Sequence, residues 1–391
     1  MFLRFAAHFV LFSGFTGESF DEQSSHMIIK SYIRHLALHG HLTLVPVYAS
    51  RLPVDGAVEI YAQILASIDD RAQRAQVMKS IVEYSGMEVV TAAAVTTTHR
   101  LATELARQST DRRSSASTTT IATTRVDRSR MRALEFLFVF NNHRAEGIRR
   151  ANILARQFAK EGKFAAIKEL FLEHVPEDSL GVIQLHRESN LEEGDENQTE
   201  DEDVERVVRE YLCWKAYIQA CNRYDLWRSC STSTSVARAS SYAEEKDVVA
   251  ELMYHVSRST AAMVDALHFE KGWLLGCGDA DEDDSSIRRI CLPQLVFNLH
   301  FLQLESAKIV LRLKSYPTYA KIELARPLLE KSLQVADVVA DEMFAVADAL
   351  TPEQCKELVR GFQESSIALL YLEGAALESA PVDEGANSDA E

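Results

Sequence analysis

Along ANILARQFAKEGKFAAIKELF, residues 151–171, apolar positions recur at helical spacing: Ile153, Leu154 and Phe158 before Gly162, then Phe164, Ile167, Leu170 and Phe171 after it. Each half predicts an amphipathic helix. Lys160 in the last turn and Gly162 at the reversal supply the chemistry of a helix end, so the unit is an αα-hairpin. Its apolar side chains cannot by themselves offset the entropy lost when the backbone is ordered. The hairpin therefore predicts neighbours, and stacked hairpins build a continuous core.

The same periodicity runs through most of the chain. Between residues 1 and 108 it predicts short helices broken at Gly40, Pro46, Pro53 and Gly86, with Asp55 placed to begin the helix that carries Val58, Tyr61, Ile64 and Leu65. The opening MFLRFAAHFVLFSGFTG has the texture of a signal peptide, but His8 interrupts it, and the pairing of Phe5, Phe9 and Phe12 predicts a buried helix. From Val204 a broad apolar face (Val207, Val208, Tyr211, Leu212, Trp214, Tyr217, Ile218) predicts a deeply buried helix, with Trp214 and Trp227 as core anchors. Further long helices are predicted at about 242–272, 286–313, 319–349 and 353–373.

Two stretches break the pattern. In 109–130 Ser, Thr and Arg crowd out apolar residues, which predicts a linker. In 191–203 closely spaced carboxylates repel one another, which predicts a solvated acidic loop. The chain thus divides into a helical trunk at 1–108, the linker at 109–130, a C-terminal helical domain at 131–378 and a disordered acidic tail at 379–391. Long runs without period-two alternation, and only 8 prolines and 15 glycines in 391 residues, predict an all-α protein. No repeat of fixed length is present, so the predicted architecture is an irregular α-helical solenoid of stacked antiparallel helices.

Charge and chemistry narrow the function. A formal net charge of -16 lacks the basic footprint that nucleic acid or an anionic membrane requires, and no apolar run reaches the length of a membrane span. Cys213, Cys221, Cys230, Cys277, Cys291 and Cys355 form no Cys-x-x-Cys pair and read as reduced, mostly buried thiols rather than metal ligands. Phosphate-loop, dinucleotide, zincin and nucleophile-elbow motifs are absent. Asp279, Asp281 and Asp283 imitate the start of a calcium loop, but Asp284 stands where the tight turn needs Gly and Ile290 where a bidentate Glu belongs. Those acidic residues are better placed to begin the following helix. His39, His41 and His300 read as structural histidines, and Glu244 and Glu245 as a solvated helix face. Neither catalytic residues, nor a cofactor site, nor a metal site is expected.

Several stretches resemble, in order along the chain, the nucleoporin 107 / nucleoporin 84 family. HLTLVPVYASRLPVDGAVEIYAQIL carries Tyr48, Leu52, Pro53, Asp55, Ala57, Val58, Tyr61 and Ala62, and YLCWKAYIQA carries Leu212, Cys213, Ala216 and Tyr217. GWLL at Gly272 and Trp273, RICLPQLVFNLH at Cys291, Leu292 and Pro293, and FQESSIALL at Glu364, Ser365 and Ser366 are similar to C-terminal family signatures. The resemblance spans about residues 1–375 and implies a scaffold subunit of the Y-shaped outer ring of the nuclear pore complex, acting in nucleocytoplasmic transport and messenger RNA export and located at the nuclear envelope. It also implies docking of the C-terminal helical region of nucleoporin 133, and a contact with nucleoporin 96 through an N-terminal half that this sequence lacks. The last helices offer the candidate contacts Leu295, Phe297, Phe301, Phe344, Leu369 and Tyr371. A vesicle-coat or other α-solenoid adaptor is the alternative on the same fold. A helical enzyme holding divalent metal in its acidic loops is a third reading.

Overall fold

The computed structural model describes residues 2–16, 20–68, 70–109, 122–192, 198–233, 241–278 and 281–378. Among them every regular element is helical, as the periodicity predicts, and each packs against neighbours in the stacked manner of an α-solenoid. The chain forms two compact units, residues 1–204 and 205–391.

The first unit contains α1 (Phe2–Thr16), α2 (Glu22–Leu38), α3 (Val45–Ala49), α4 (Val54–Ser67), α5 (Arg71–Ser85), α6 (Met87–Ser109), α7 (Arg125–Leu134), α8 (Arg144–Lys160), α9 (Phe164–Glu169) and α10 (Ser179–Glu192). Helix ends fall where the sequence carries the means to satisfy them. The Asp21 carboxylate accepts from Ser24 N at 2.8 Å, and Asp70 accepts from Gln73 N at 3.1 Å. At the end of α8, Gly162 takes φ +70°, its N–H donates to Ala159 O at 3.0 Å, and Lys163 N–H donates to Phe158 O at 2.8 Å. That is the Schellman arrangement, which only a residue tolerant of positive φ completes without strain.

The hairpin over 151–171 forms, with one change in its face. Leu154, Phe158, Ile167, Leu170 and Phe171 are buried, but Ile153 is 45% exposed and Ala151 and Ala155 take the core positions instead. The stripe 151, 154, 155, 158 is the one that meets the neighbouring helices, and Ile153 lies off it. Opposite packing decides the fate of α1: the element is a helix, but Phe2, Phe5 and Phe12 are 84%, 67% and 64% exposed, while Ala7 and Ser13 turn fully inward. The small residues permit close approach to α2 and leave the aromatic edge uncovered within the unit.

The described part of the Ser/Thr/Arg-rich stretch, from residue 122, leads into α7, while 110–121 lie outside the described residues. Thr124 and Asp127 form a capping box: Thr124 N donates to Asp127 Oδ2 at 2.9 Å, and Asp127 N donates to Thr124 Oγ1 at 3.2 Å. Arg74 on α5 reaches across this stretch to bond Ile68 O at 3.0 Å and the Glu135 carboxylate, which also meets His174 Nδ1 at 2.9 Å. Helices before and after the stretch therefore share one unit. The division falls at Val204 and Glu205, inside α11 (Gln198–Ser231). Residues 198–203 of the predicted acidic loop are accordingly helical, while 193–197 lie outside the described residues, as does the predicted tail at 379–391.

Asp127 is fully buried and accepts from Lys163 Nζ at 2.9 Å. Burial alone would push its carboxyl up, but the bonds from Lys163 and Thr124 outweigh it and hold the group below the usual carboxylate range; burial likewise opposes the Lys163 ammonium, and Glu161 and Asp127 together hold it above its ordinary value. Asp127→Ala is expected to cost about 2 to 3 kcal/mol, because it removes the cap and leaves a half-buried ammonium with one partner fewer. Hydrogen exchange of α7 and α8 amides measures it. Asp127 contributes fully above the unfolded value of 3.8, and its contribution is lost as pH falls through the lower folded value. Lys163 contributes fully below 10.5, and its contribution is lost as pH rises through the higher folded value.

The second unit contains most of α11, then α12 (Tyr242–Leu267), α13 (Asp281–Arg312), α14 (Thr318–Ala340) and α15 (Pro352–Glu378). These match the predicted long helices, except that the one predicted over 242–272 ends at Leu267 and the one predicted over 319–349 ends at Ala340, where Asp341 turns to extended backbone. Trp214, Trp227 and Trp273 are at most 1% exposed, so the first two are core anchors as expected.

Candidate interaction surface

The interior of the second unit is organised around the turn from His268 to Gly278, which joins α12 to α13. Lys271, Gly272, Leu274 and Gly276 all adopt positive φ there, a conformation that must be held by its surroundings. Three polar side chains, the half-buried Arg209 and the buried Asp284 and Arg288, hold it. Arg209 on α11 donates to Leu275 O at 2.6 Å and Gly272 O at 3.0 Å, and Asp284 accepts from Cys277 N at 3.0 Å and Gly278 N at 3.1 Å. Arg288 on α13 donates to Trp273 O, to Phe344 O at 2.9 Å and to Ala345 O at 2.7 Å. Burial presses the Arg288 guanidinium below its ordinary pKa. Trp273 completes the knot by donating its indole N–H to Cys213 O at 2.7 Å and packing edge-on against Trp214.

Asp284, which the sequence places in an acidic helix start, is thus a buried clamp on the preceding turn. Glu245 is corrected in the same sense. It is 2% exposed and accepts from Lys314 N at 2.8 Å and Ser315 N at 2.9 Å, while its neighbour Glu244 closes a capping box with Ser241. A carboxylate that satisfies orphan backbone donors has a reason for burial that no helical-wheel pattern reveals. His300 is a hydrogen-bonded structural residue, as expected: it is buried, meets Ser365 Oγ at 3.2 Å and is held below the ordinary histidine pKa by burial. It lies against Gly361, where an added Cβ would stand 2.7 Å from the ring, so α13 and α15 approach closely here.

An open groove of about 720 Å³ runs beside this close approach. Phe297, Phe301 and Leu304 supply apolar wall, and Arg228, Lys308 and Glu364 a charged rim. Lys308 bridges Glu305 at 2.8 Å and Glu364 at 2.7 Å, tying α13 to α15. Outward from the groove, α15 carries a second apolar stripe of Val359, Ile367, Leu370 and Tyr371, at 51%, 54%, 67% and 78% exposed. It lies opposite the packed face of Leu358, Ser365 and Leu372. A helix apolar on two faces is built to lie between two neighbours, and among the described residues of this unit only one face is covered.

The candidate contacts fall into three groups. Phe297 and Phe301 line the groove, Phe301 packing edge-on against Trp227. Leu369 is half-buried, and Tyr371 projects from the stripe. Phe344 is half-buried and stacked on His268 at 4.4 Å, and Leu295 is fully inside the core, where it supports the surface from beneath. Val359, Ile367 and Leu370 extend the exposed stripe that carries Tyr371, and their signal is legible in the sequence, since the spacing 359, 367, 370, 371 places all four on one helical face.

Stacked antiparallel helices, closed by internal polar clamps and presenting an apolar groove and stripe, define an α-solenoid protein. The chain belongs to the nuclear pore protein 84 / 107 family, whose model matches residues 1–366. It is similar to the nuclear pore complex protein Nup107 of Mus musculus and of Homo sapiens, each 26% identical over 94% of this chain. It is also similar to nucleoporin nup107 of Schizosaccharomyces pombe, 24% identical over 76% of this chain and 36% of that protein. The chain spans about 40% of the length of the mammalian relatives.

Proposed function

We propose that the chain is a structural, non-catalytic scaffold subunit of the outer ring of the nuclear pore complex, residing at the nuclear envelope and supporting nucleocytoplasmic transport and messenger RNA export through assembly. Family membership supports the setting. The apolar stripe on α15 carries the docking role, since it offers a helix-sized seat beside the groove of Phe297 and Phe301. Its occupant in this reading is the C-terminal helical region of nucleoporin 133. Phe301, Leu369 and Tyr371 make contact, Phe344 lies at the margin, and Leu295 keeps the supporting helix rigid. Nucleoporin 96 belongs to the part of the family's length that this sequence does not include.

Binding of the full chain to the purified C-terminal region of nucleoporin 133, followed by calorimetry, tests the proposal. A one-to-one complex is the expected outcome, and no heat of binding from a chain of full helical content overturns the docking role. Fluorescence of the tagged chain in cells tests the setting: a rim around the nucleus is expected, whereas cytoplasmic puncta would move the protein to a vesicle-coat role.

A further inference from the structure

At the far end of α11 and the middle of α12, the structure brings together Cys230, Glu251 and His255. The Cys230 Sγ, one Glu251 carboxylate oxygen and one His255 ring nitrogen all lie within 4.8 Å of one another. Glu251 and His255 are four residues apart and share one face of α12, and Cys230 comes from the neighbouring helix. The thiol is nearly buried, the imidazole half-buried and the carboxylate exposed, so the cluster has a protein side and an open side. Among the described residues, no hydrogen bond or ion pair engages any of the three side chains elsewhere.

We propose that Cys230, Glu251 and His255 form a zinc site with an open fourth position. The donor set selects the ion: thiolate and imidazole favour zinc over the hard ions magnesium and calcium, and a single carboxylate completes a borderline set. Ligand atoms around a tetrahedral ion with bonds of about 2.0–2.3 Å stand about 3.5 Å apart, so side-chain rotation of roughly 1 Å closes the cluster onto an ion. Zinc bound there staples the end of α11 to α12 at a point where, among the described residues, no other polar contact joins those side chains. Binding replaces the thiol proton, which is released to solvent.

The second metal-sized cluster does not share these features. Glu169 is taken up by Arg128 at 2.7 Å and His174 meets Glu135 at 2.9 Å, so two of the three members of the cluster of Glu169, Glu173 and His174 are already engaged.

Cobalt(II) and zinc titrations of the full chain test the site. The expected result is one equivalent of cobalt bound with a thiolate-to-cobalt charge-transfer band, displaced by zinc but not by magnesium or calcium. Cys230→Ser abolishes the band. His255→Ala weakens binding by at least about tenfold, in line with the loss of one ligand, and Cys355→Ser, at an exposed thiol elsewhere in the unit, leaves it intact. Saturating zinc raises the unfolding midpoint of the wild-type chain by several degrees and leaves Cys230→Ser unmoved. Should Cys230→Ser lose helical content, His255→Ala decides, because that side chain is half-exposed on a long helix. Absence of stoichiometric binding, or a band that survives both variants, overturns the site.

Discussion

Arg288→Ala lowers the stability of the C-terminal unit by about 4 kcal/mol, the largest single loss expected in the molecule. The guanidinium is 3% exposed and serves three carbonyls, those of Trp273, Phe344 and Ala345. Each hydrogen bond from a charged donor is worth about 1.5–3 kcal/mol, and truncation strands buried acceptors that water cannot reach. The loss is compounded because the acceptors sit on turns with positive φ at Leu274 and Ala345, conformations that persist only while the surroundings over-determine them. Arg288→Lys keeps the charge but not the planar fork, and recovers less than half of the loss. Tryptophan fluorescence during urea unfolding reads this unit alone, since all 3 tryptophans of the chain lie within it. A loss below about 1 kcal/mol, the range of an ordinary surface substitution, would remove Arg288 from its role as the clamp.

Ile367→Asp combined with Leu370→Asp is expected to weaken the proposed docking of the nucleoporin 133 segment at least about 100-fold, equivalent to roughly 3 kcal/mol. Both side chains are more than half exposed in the unit, so the charges are tolerated in the unbound chain and the unfolding midpoint stays within the scatter of surface variants. Buried in a complex, each carboxylate would be desolvated without a partner. Calorimetry gives the affinity, and circular dichroism confirms that α15 is intact. Unchanged affinity in a fully helical double variant would place the docking surface elsewhere. A parallel substitution at Phe301 separates groove from stripe: its ring is 48% exposed and leans on Trp227, so Phe301→Ala reports the groove with a smaller loss.

These expectations rest unequally on sequence and structure. Helix existence, the Gly162 end of α8, the burial of Trp214 and Trp227 and the structural role of His300 were legible from local pattern. A 3.6-residue period and a glycine at a reversal are properties of neighbours along the chain, and the ordered set of core residues was enough to identify the family. Where an element turns its apolar side is a different matter. The Phe5, Phe9 and Phe12 stripe predicts burial just as well as the stripe of α15, and both stand exposed in their units. Periodicity states that a face is apolar but not what covers it.

Sequence by itself determined that the chain is all-α, where most helices begin and end, and to which family it belongs, because local backbone preferences and hydrophobic spacing survive without knowledge of distant contacts. Only the tertiary structure decided that Asp284 and Glu245 are buried clamps, that Arg288 reaches Phe344, 56 residues further along the chain, and ties that turn to the one at Trp273, and that Cys230 meets Glu251 and His255. Those roles belong to pairs of residues far apart in the chain, whose partners are chosen by helix packing. No spacing rule along one helix encodes which side chains a second helix will bring to it.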